Sequence, residues 1–276
     1  MGHSSPHATH PAPSAQEGTV TAVQEGGILR ITLSNPARHN AMSSAMWRQL
    51  QVLVQAASQN DQLRVLAISG AGEKAFCSGA DISEFAGQED EQRWMAAFNQ
   101  AIFDAQQALI ECPHPSVALI RGICMGGGMG LALACDLRYC AAESRFRMPA
   151  GRMGLGYDHR GLARFVDVLG LARASELFFT SQLVDGERAE QVGLVQGVFP
   201  DARFLSSAED LLAAIATSAP LTLRAAKLGL RRALGQPGGP TEAQAHEAMA
   251  RCFLSKDYQE GQRAFREKRA PRFEGT

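Results

Sequence analysis

The stretch "RGICMGGGMGLALACDLRYC", Arg121 to Cys140, constrains the fold more than any other part of the chain. Three consecutive glycines, Gly126 to Gly128, stand between a short apolar run and a second one that reads as a helix. Glycine lets a backbone approach a ligand or another segment closely, and the first N–H groups of a helix have no internal acceptor. Such a turn presents bare backbone donors to whatever lies in front of it. A charged residue on the first helical turn would face the same space, but Met129 and Gly130 stand there instead.

The surrounding pattern alternates strand and helix. "TVTAVQEG" and "ILRITLSN" are strand candidates joined by a Gly26-Gly27 turn. Met46, Leu50, Leu53, Val54 and Ala57 then share one helical face, with Ser43 or Ser44 as its cap. "RVLAISG" reads as a buried strand, and Met95, Phe98, Ile102, Ala105 and Leu109 form the stripe of a long helix. "SVALIRG" and "DLRYCAA" are two further strands. This order predicts an α/β core over residues 18–201.

From Ala202 to Thr276 the pattern is helical only. Ser206 with Glu209, Thr241 with Gln244, and Asp257 with Glu260 each have capping-box spacing. Helices without strands need a partner surface, either the α/β core or a neighbouring subunit. Residues 1–17 are rich in Pro, Ser and His and read as a disordered tail, in which His3, His7 and His10 could hold a metal only loosely.

Composition narrows the function. A net charge of -1 with no long charged run gives no electrostatic case for nucleic acid or an anionic membrane. The most apolar stretch is broken by Arg121 and glycines, so it does not read as a membrane span. Six cysteines without CxxC spacing, and no apolar leader, point to reduced thiols and a cytoplasmic location. His39, His114, His159 and His246 are scattered, so no metal site is expected. Walker, GxGxxG and GxSxG patterns are absent, which argues against nucleotide, dinucleotide and serine-hydrolase chemistry.

Two glycine-bearing loops remain, "FCSGADISEF" and "RGICMGGGMG", each following a strand. Two such loops can aim two N–H donors at one oxygen, an oxyanion hole in which each donor is worth roughly 2.7–4 kcal/mol.

From Gly18 to Phe273 the chain resembles the enoyl-CoA hydratase/isomerase (crotonase) superfamily. The resemblance is carried by "NPARHNAMSS", "KAFCSGADISEF", "RGICMGGGMGLALACDLRYCAAESRF", "LVDGERAEQVGLVQGVFP" and "FLSKDYQEGQRAFREKRAPRF". It implies a spiral of ββα units, a C-terminal helical region, and a homotrimer or dimer of trimers. It also implies a coenzyme A thioester as substrate, with no permanently bound cofactor. The oxyanion donors implied are the N–H groups of Ala80 and Gly127. CoA contacts implied are Arg38, the backbone from Ala75 through Cys77 and Ser78 to Ala80, Asp81 and Ile82, and Phe265 and Lys268 near the C-terminus.

Hydratases of that superfamily carry one glutamate three residues past the middle glycine and a second twenty residues later. Here those positions are Gly130 and Ala150, so both carboxylates are missing. A positioned acid or base contributes roughly 10²–10⁴ in rate, so simple hydration is not expected. Isomerisation, decarboxylation and thioester cleavage use the same oxyanion stabilisation and stay open, as does CoA-ester binding without turnover. Asp158, eight residues past Ala150, resembles the placement of a catalytic aspartate in dienoyl-CoA isomerases, and it equally suits a helix cap. His159 and Tyr157 beside it are further candidates, while Asp81 and Glu84 look structural.

Overall fold

The computed structural model describes residues 17–85 and 89–276. His3, His7, His10 and almost all of the expected tail lie outside the described residues. The chain opens with a hairpin, β1 (Thr19–Glu25) and β2 (Ile28–Ser34), paired antiparallel over their whole length across the Gly26-Gly27 turn. Leu29, Ile31 and Leu33 alternate along β2 and all point to the buried side, as period-two spacing requires. Helix α1 (Ser44–Ser58) follows, capped by Ser43, and buries Met46, Leu50, Val54 and Ala57 along with Trp47.

Three strand–strand–helix units come next. The first is β3 (Val65–Gly70), β4 (Ala75–Cys77) and α2 (Glu91–Glu111); the second is β5 (Ser116–Ile120), β6 (Ile123–Met125) and α3 (Gly127–Ala134). The third is β7 (Leu137–Ala141), β8 (Arg145–Arg147) and the short α4 (Ala150–Met153). The first strand of each unit enters a six-stranded sheet and the second a four-stranded sheet. Within each sheet these strands pair parallel, β3 to β5 to β7 and β4 to β6 to β8. Repeating the unit stacks equivalent loops side by side. The loop after β4 therefore lies against the one after β6.

Helices α5 (His159–Leu169) and α6 (Leu171–Thr180) lead to β9 (Val184–Asp185), which closes the small sheet. Helix α7 (Gly186–Gln191) then leads to β10 (Gly197–Phe199), which closes the large one. The larger of two apolar cores fills the space between the sheets and the helices, with Trp47, Phe76, Phe146 and Phe165 fully buried.

Beyond β10 all elements are helical: α8 (Phe204–Ala216), α9 (Pro220–Leu234), α10 (Glu242–Phe253) and α11 (Lys256–Glu267). Helix α8 packs Phe204, Ala208 and Leu212 on Val65, Val117 and Leu119 of the large sheet. The Thr241–Gln244 capping box is present at α10. The other two capping boxes are corrected by the structure. A 3₁₀ turn, Asp201–Arg203, runs straight into α8, so Ser206 lies inside the helix and its hydroxyl donates to the carbonyl of Arg203. Ser255, not Asp257, caps α11. Asp257 instead accepts from the N–H groups of Glu274 and Gly275, and Glu260 accepts from Arg263, Arg269 and the N–H of Arg272. Both acids fold the last residues back along α11.

Candidate active site

The loops after β4 and β6 meet through glycines. Gly79 has φ +112° and Gly126 φ +51°, conformations that a side chain disfavours. A Cβ on Gly79 would stand 3.3 Å from the nitrogen of Gly127, and one on Gly128 would stand 2.2 Å from the carbonyl oxygen of Cys77. Bulkier residues at these points would force the loops apart.

This contact sets two N–H groups side by side. Met42 donates to the carbonyl of Gly79 at 2.8 Å and accepts from the N–H of Asp81 at 3.0 Å. Those bonds flank Ala80 and turn its own N–H to the opposite side. Gly127 is the first residue of α3, so its N–H has no acceptor within the helix. Neither N–H donates to any group among the described residues. A Cβ on Gly127 would lie 3.6 Å from the Ala80 nitrogen, so the two backbone nitrogens stand near one another where the loops meet.

Ala80 and Gly127 border a cavity of about 460 Å³ whose other walls come from α2, α4 and the loop leading to α5. Met95, Phe98, Ile102 and Met148 make most of it apolar. Ser78, Asp81, Ile82 and Arg38 line it beside the first loop. Arg38 forms an ion pair with Asp81 at 2.6 Å and also donates to Ser83. Burial alone would raise the Asp81 carboxyl, but Ser83 and Arg38 outweigh it and hold the group below the usual carboxylate range. Glu84 accepts from the N–H and hydroxyl of Ser44, which ties the loop to α1.

The positions of the absent glutamates are occupied in different ways. Ala150 offers only a methyl group to the cavity wall. At Gly130, a Cβ would stand 2.6 Å from the Tyr157 hydroxyl and 2.9 Å from Nε2 of Gln106. Two neutral polar groups therefore crowd the place where a carboxylate would begin. Burial raises the Tyr157 phenol above its ordinary value, so it stays protonated.

Asp158 lines the cavity and also caps α5, accepting from the N–H of Arg160 at 2.9 Å. The Arg160 guanidinium grips the same carboxylate at 2.6 Å and holds it ionised, below the usual range. His159 is outside the cavity, with a side chain 91% exposed. Ala75 and Cys77 are buried in β4, and burial pushes the Cys77 thiol up to about 12, which removes it as a nucleophile. Phe265 is 86% exposed and borders a separate apolar hollow between α9, α10 and α11; Lys268 ends α11. Within one chain neither of these two reaches the cavity. Among the described residues no three His, Cys, Asp or Glu side chains gather as a metal set.

Gln106 was not singled out by sequence. It follows Ile102 by four residues and precedes Leu109 by three, so it is a polar residue on the apolar stripe of α2. That mismatch is the one signal that points to it.

Comparison with known proteins bears on the family and the fold. The profile of the enoyl-CoA hydratase/isomerase family matches residues 23–276. A 2,3-dehydroadipyl-CoA hydratase of Escherichia coli is 31% identical, over 90% of this chain and 95% of that protein. A mitochondrial Δ(3,5)-Δ(2,4)-dienoyl-CoA isomerase of Rattus norvegicus is 33% identical, over 76% of this chain and 67% of its own. The crystal structure of an enoyl-CoA hydratase/carnithine racemase from Magnetospirillum magneticum superposes with a TM-score of 0.88, at 34% identity, covering 94% of this chain and 96% of that one. The spiral of paired strands and helices and the extent of these matches lead to one conclusion: the chain belongs to the enoyl-CoA hydratase/isomerase family.

Proposed function

We propose that the protein is an acyl-CoA enzyme that stabilises a thioester enolate or oxyanion at Ala80 and Gly127 and is not a simple hydratase. The observation that carries this reading is the pair of unpartnered N–H groups facing a cavity with no carboxylate at position 130 or 150. As the thioester oxygen gains charge, two fixed donors stabilise it more than they stabilise the neutral carbonyl, and that difference lowers the barrier. Adding water to a double bond also needs one group to activate the water and another to manage the α-proton, and here both of the carboxylates that would do so are lacking.

Asp158 is the cavity carboxylate left to move a proton, since Asp81 is committed to Arg38 and Ser83. Held ionised, it acts as a base and returns the proton elsewhere on the acyl chain, or it assists cleavage beside the thioester. The likeness to a dienoyl-CoA isomerase supports proton relocation. A second reading is binding without turnover, favoured by the grip of Arg160 on Asp158, which weakens it as a base. Incubation with a panel of saturated, 2-enoyl, 3-enoyl, dienoyl and 3-oxoacyl thioesters of CoA, followed by product analysis, separates the two. Turnover of any member excludes the binding-only reading, and fast hydration of crotonyl-CoA overturns the primary one.

The same reading includes a homotrimer or dimer of trimers. Its support is the set of apolar side chains on the C-terminal helices, Met249, Phe253, Leu254 and Phe265, that stand exposed among the described residues. Light scattering that reports a monomer at micromolar concentration would refute it.

A further inference from the structure

Gln106 and Tyr157 carry an observation that the oxyanion pair leaves unexplained. Gln106 is only 7% exposed, yet its Nε2 has no hydrogen-bond partner among the described residues. A buried amide left in that state costs the free energy of its desolvation, so an acceptor arriving from the adjoining cavity would be favoured there. The Tyr157 hydroxyl also makes no hydrogen bond among the described residues, and Asp158 next to it is engaged by Arg160. Both residues line the cavity, and both lie within 3 Å of the place a Cβ on Gly130 would take, at 2.6 and 2.9 Å.

Their position relative to the first donor pair follows from α3. Gly127 and Gly130 are three residues apart on one helix, so their Cβ directions are neighbours at roughly 5–6 Å. A second pair of neutral donors therefore stands one helical turn from the Ala80 and Gly127 pair. An oxygen on C3 of an acyl thioester lies a few ångströms from the thioester oxygen, and each of the two would face its own donors.

We propose that Gln106 and Tyr157 form a second oxygen-binding point in the cavity, and that the substrate is an acyl-CoA with a carbonyl at C3. The inference rests on the reading of Ala80 and Gly127 as thioester-oxygen donors. Neutral donors suit a carbonyl, whose two lone pairs accept from one N–H and one O–H. Such a substrate also fits a weak base. The C2 protons lie between two carbonyls; when Asp158 takes one, the C–H electron pair spreads over both oxygens, and both donor pairs stabilise the resulting enolate.

Titration calorimetry of butanoyl-CoA and 3-oxobutanoyl-CoA tests the proposal, on the wild type and on Tyr157→Phe and Gln106→Met. Phenylalanine keeps the edge-on ring contacts of Tyr157 with Phe165 and Phe178, and melting curves confirm that each variant is folded. The wild type is expected to prefer the 3-oxo ligand at least about tenfold, equivalent to ~1.4 kcal/mol. Each variant should lose most of that preference while its affinity for butanoyl-CoA stays within about twofold, because the Ala80 and Gly127 donors are untouched. Equal affinity of the wild type for both ligands overturns the proposal, as does a preference that survives in both variants. If butanoyl-CoA binds with no 3-oxo preference, the second oxygen-binding point alone fails. If neither thioester binds, the acyl-CoA reading falls and this proposal falls with it.

Discussion

The direction of a Cβ on Gly127 runs toward the backbone nitrogen of Ala80, 3.6 Å away, with no contact closer than that. A methyl group there meets only ordinary van der Waals neighbours, and Gly127 is not among the residues with positive φ. Gly127→Ala should thus fold normally and put a methyl group beside the two donors. Turnover is expected to fall by about 10²–10³, the scale for losing an oxyanion donor. Steady-state kinetics beside a melting curve checks both halves.

The next residue behaves in the opposite way. A Cβ on Gly128 would sit 2.2 Å from the Cys77 carbonyl oxygen, a backbone atom that cannot swing aside. Gly128→Ala is expected to destabilise the fold by about 1–3 kcal/mol or more, through overpacking. Urea unfolding should show a lowered midpoint for Gly128→Ala and an unchanged one for Gly127→Ala.

Putting the missing glutamate back should not create a hydratase. At Gly130 the new Cβ would stand 2.6 and 2.9 Å from the Tyr157 hydroxyl and the Gln106 amide, side-chain ends that would have to move and would leave the carboxylate outside a prepared setting. Gly130→Glu with Ala150→Glu is expected to hydrate crotonyl-CoA far below the ordinary enzymatic range of about 1–10³ s⁻¹. Absorbance of the conjugated thioester measures the rate.

Asp158→Asn separates cap from base. Asparagine caps a helix about as well as aspartate, so α5 should persist. The charge that pairs with Arg160 and can accept a proton is lost. A kcat reduced by at least about 10²-fold, with the melting temperature within a few degrees, is expected for a base. Unchanged kcat would leave Asp158 as a cap only.

These residues were unequally legible in the sequence. Period-two and period-3.6 spacing located the hairpin, α1 and the α2 stripe because burial on one face dictates those periods. The two loops stood out through their glycines, and the resemblance pointed to Ala80 and Gly127. Local spacing misplaced two caps, because Ser206 and Asp257 have capping chemistry but find better partners in Arg203 and the segment at Glu274 and Gly275. Gln106 and Tyr157 come from elements far apart in sequence and meet only over Gly130, so no local pattern announces the pair.

His114 predicts a pH dependence of stability. It is 1% exposed, and burial, then the Arg224 guanidinium, lowers its imidazole from 6.5 to about 4. Between these values the unfolded chain binds a proton that the folded one refuses, so stability falls as pH drops from about 6.5 to about 4. The slope from this one group is at most about 1.4 kcal/mol per pH unit. His114→Gln should flatten the urea midpoint in that window, while the acid loss from Asp81 and Asp158, whose carboxyls are lowered, lies at lower pH.

The central claim is that Ala80 and Gly127 hold a thioester oxygen. A crystal structure of the protein with butanoyl-CoA tests it most directly. The carbonyl oxygen is expected roughly 2.7–3.1 Å from both backbone nitrogens, with the acyl chain running along α2 into the apolar cavity. A thioester carbonyl turned away from either nitrogen, or a ligand seated outside this cavity, would contradict the account.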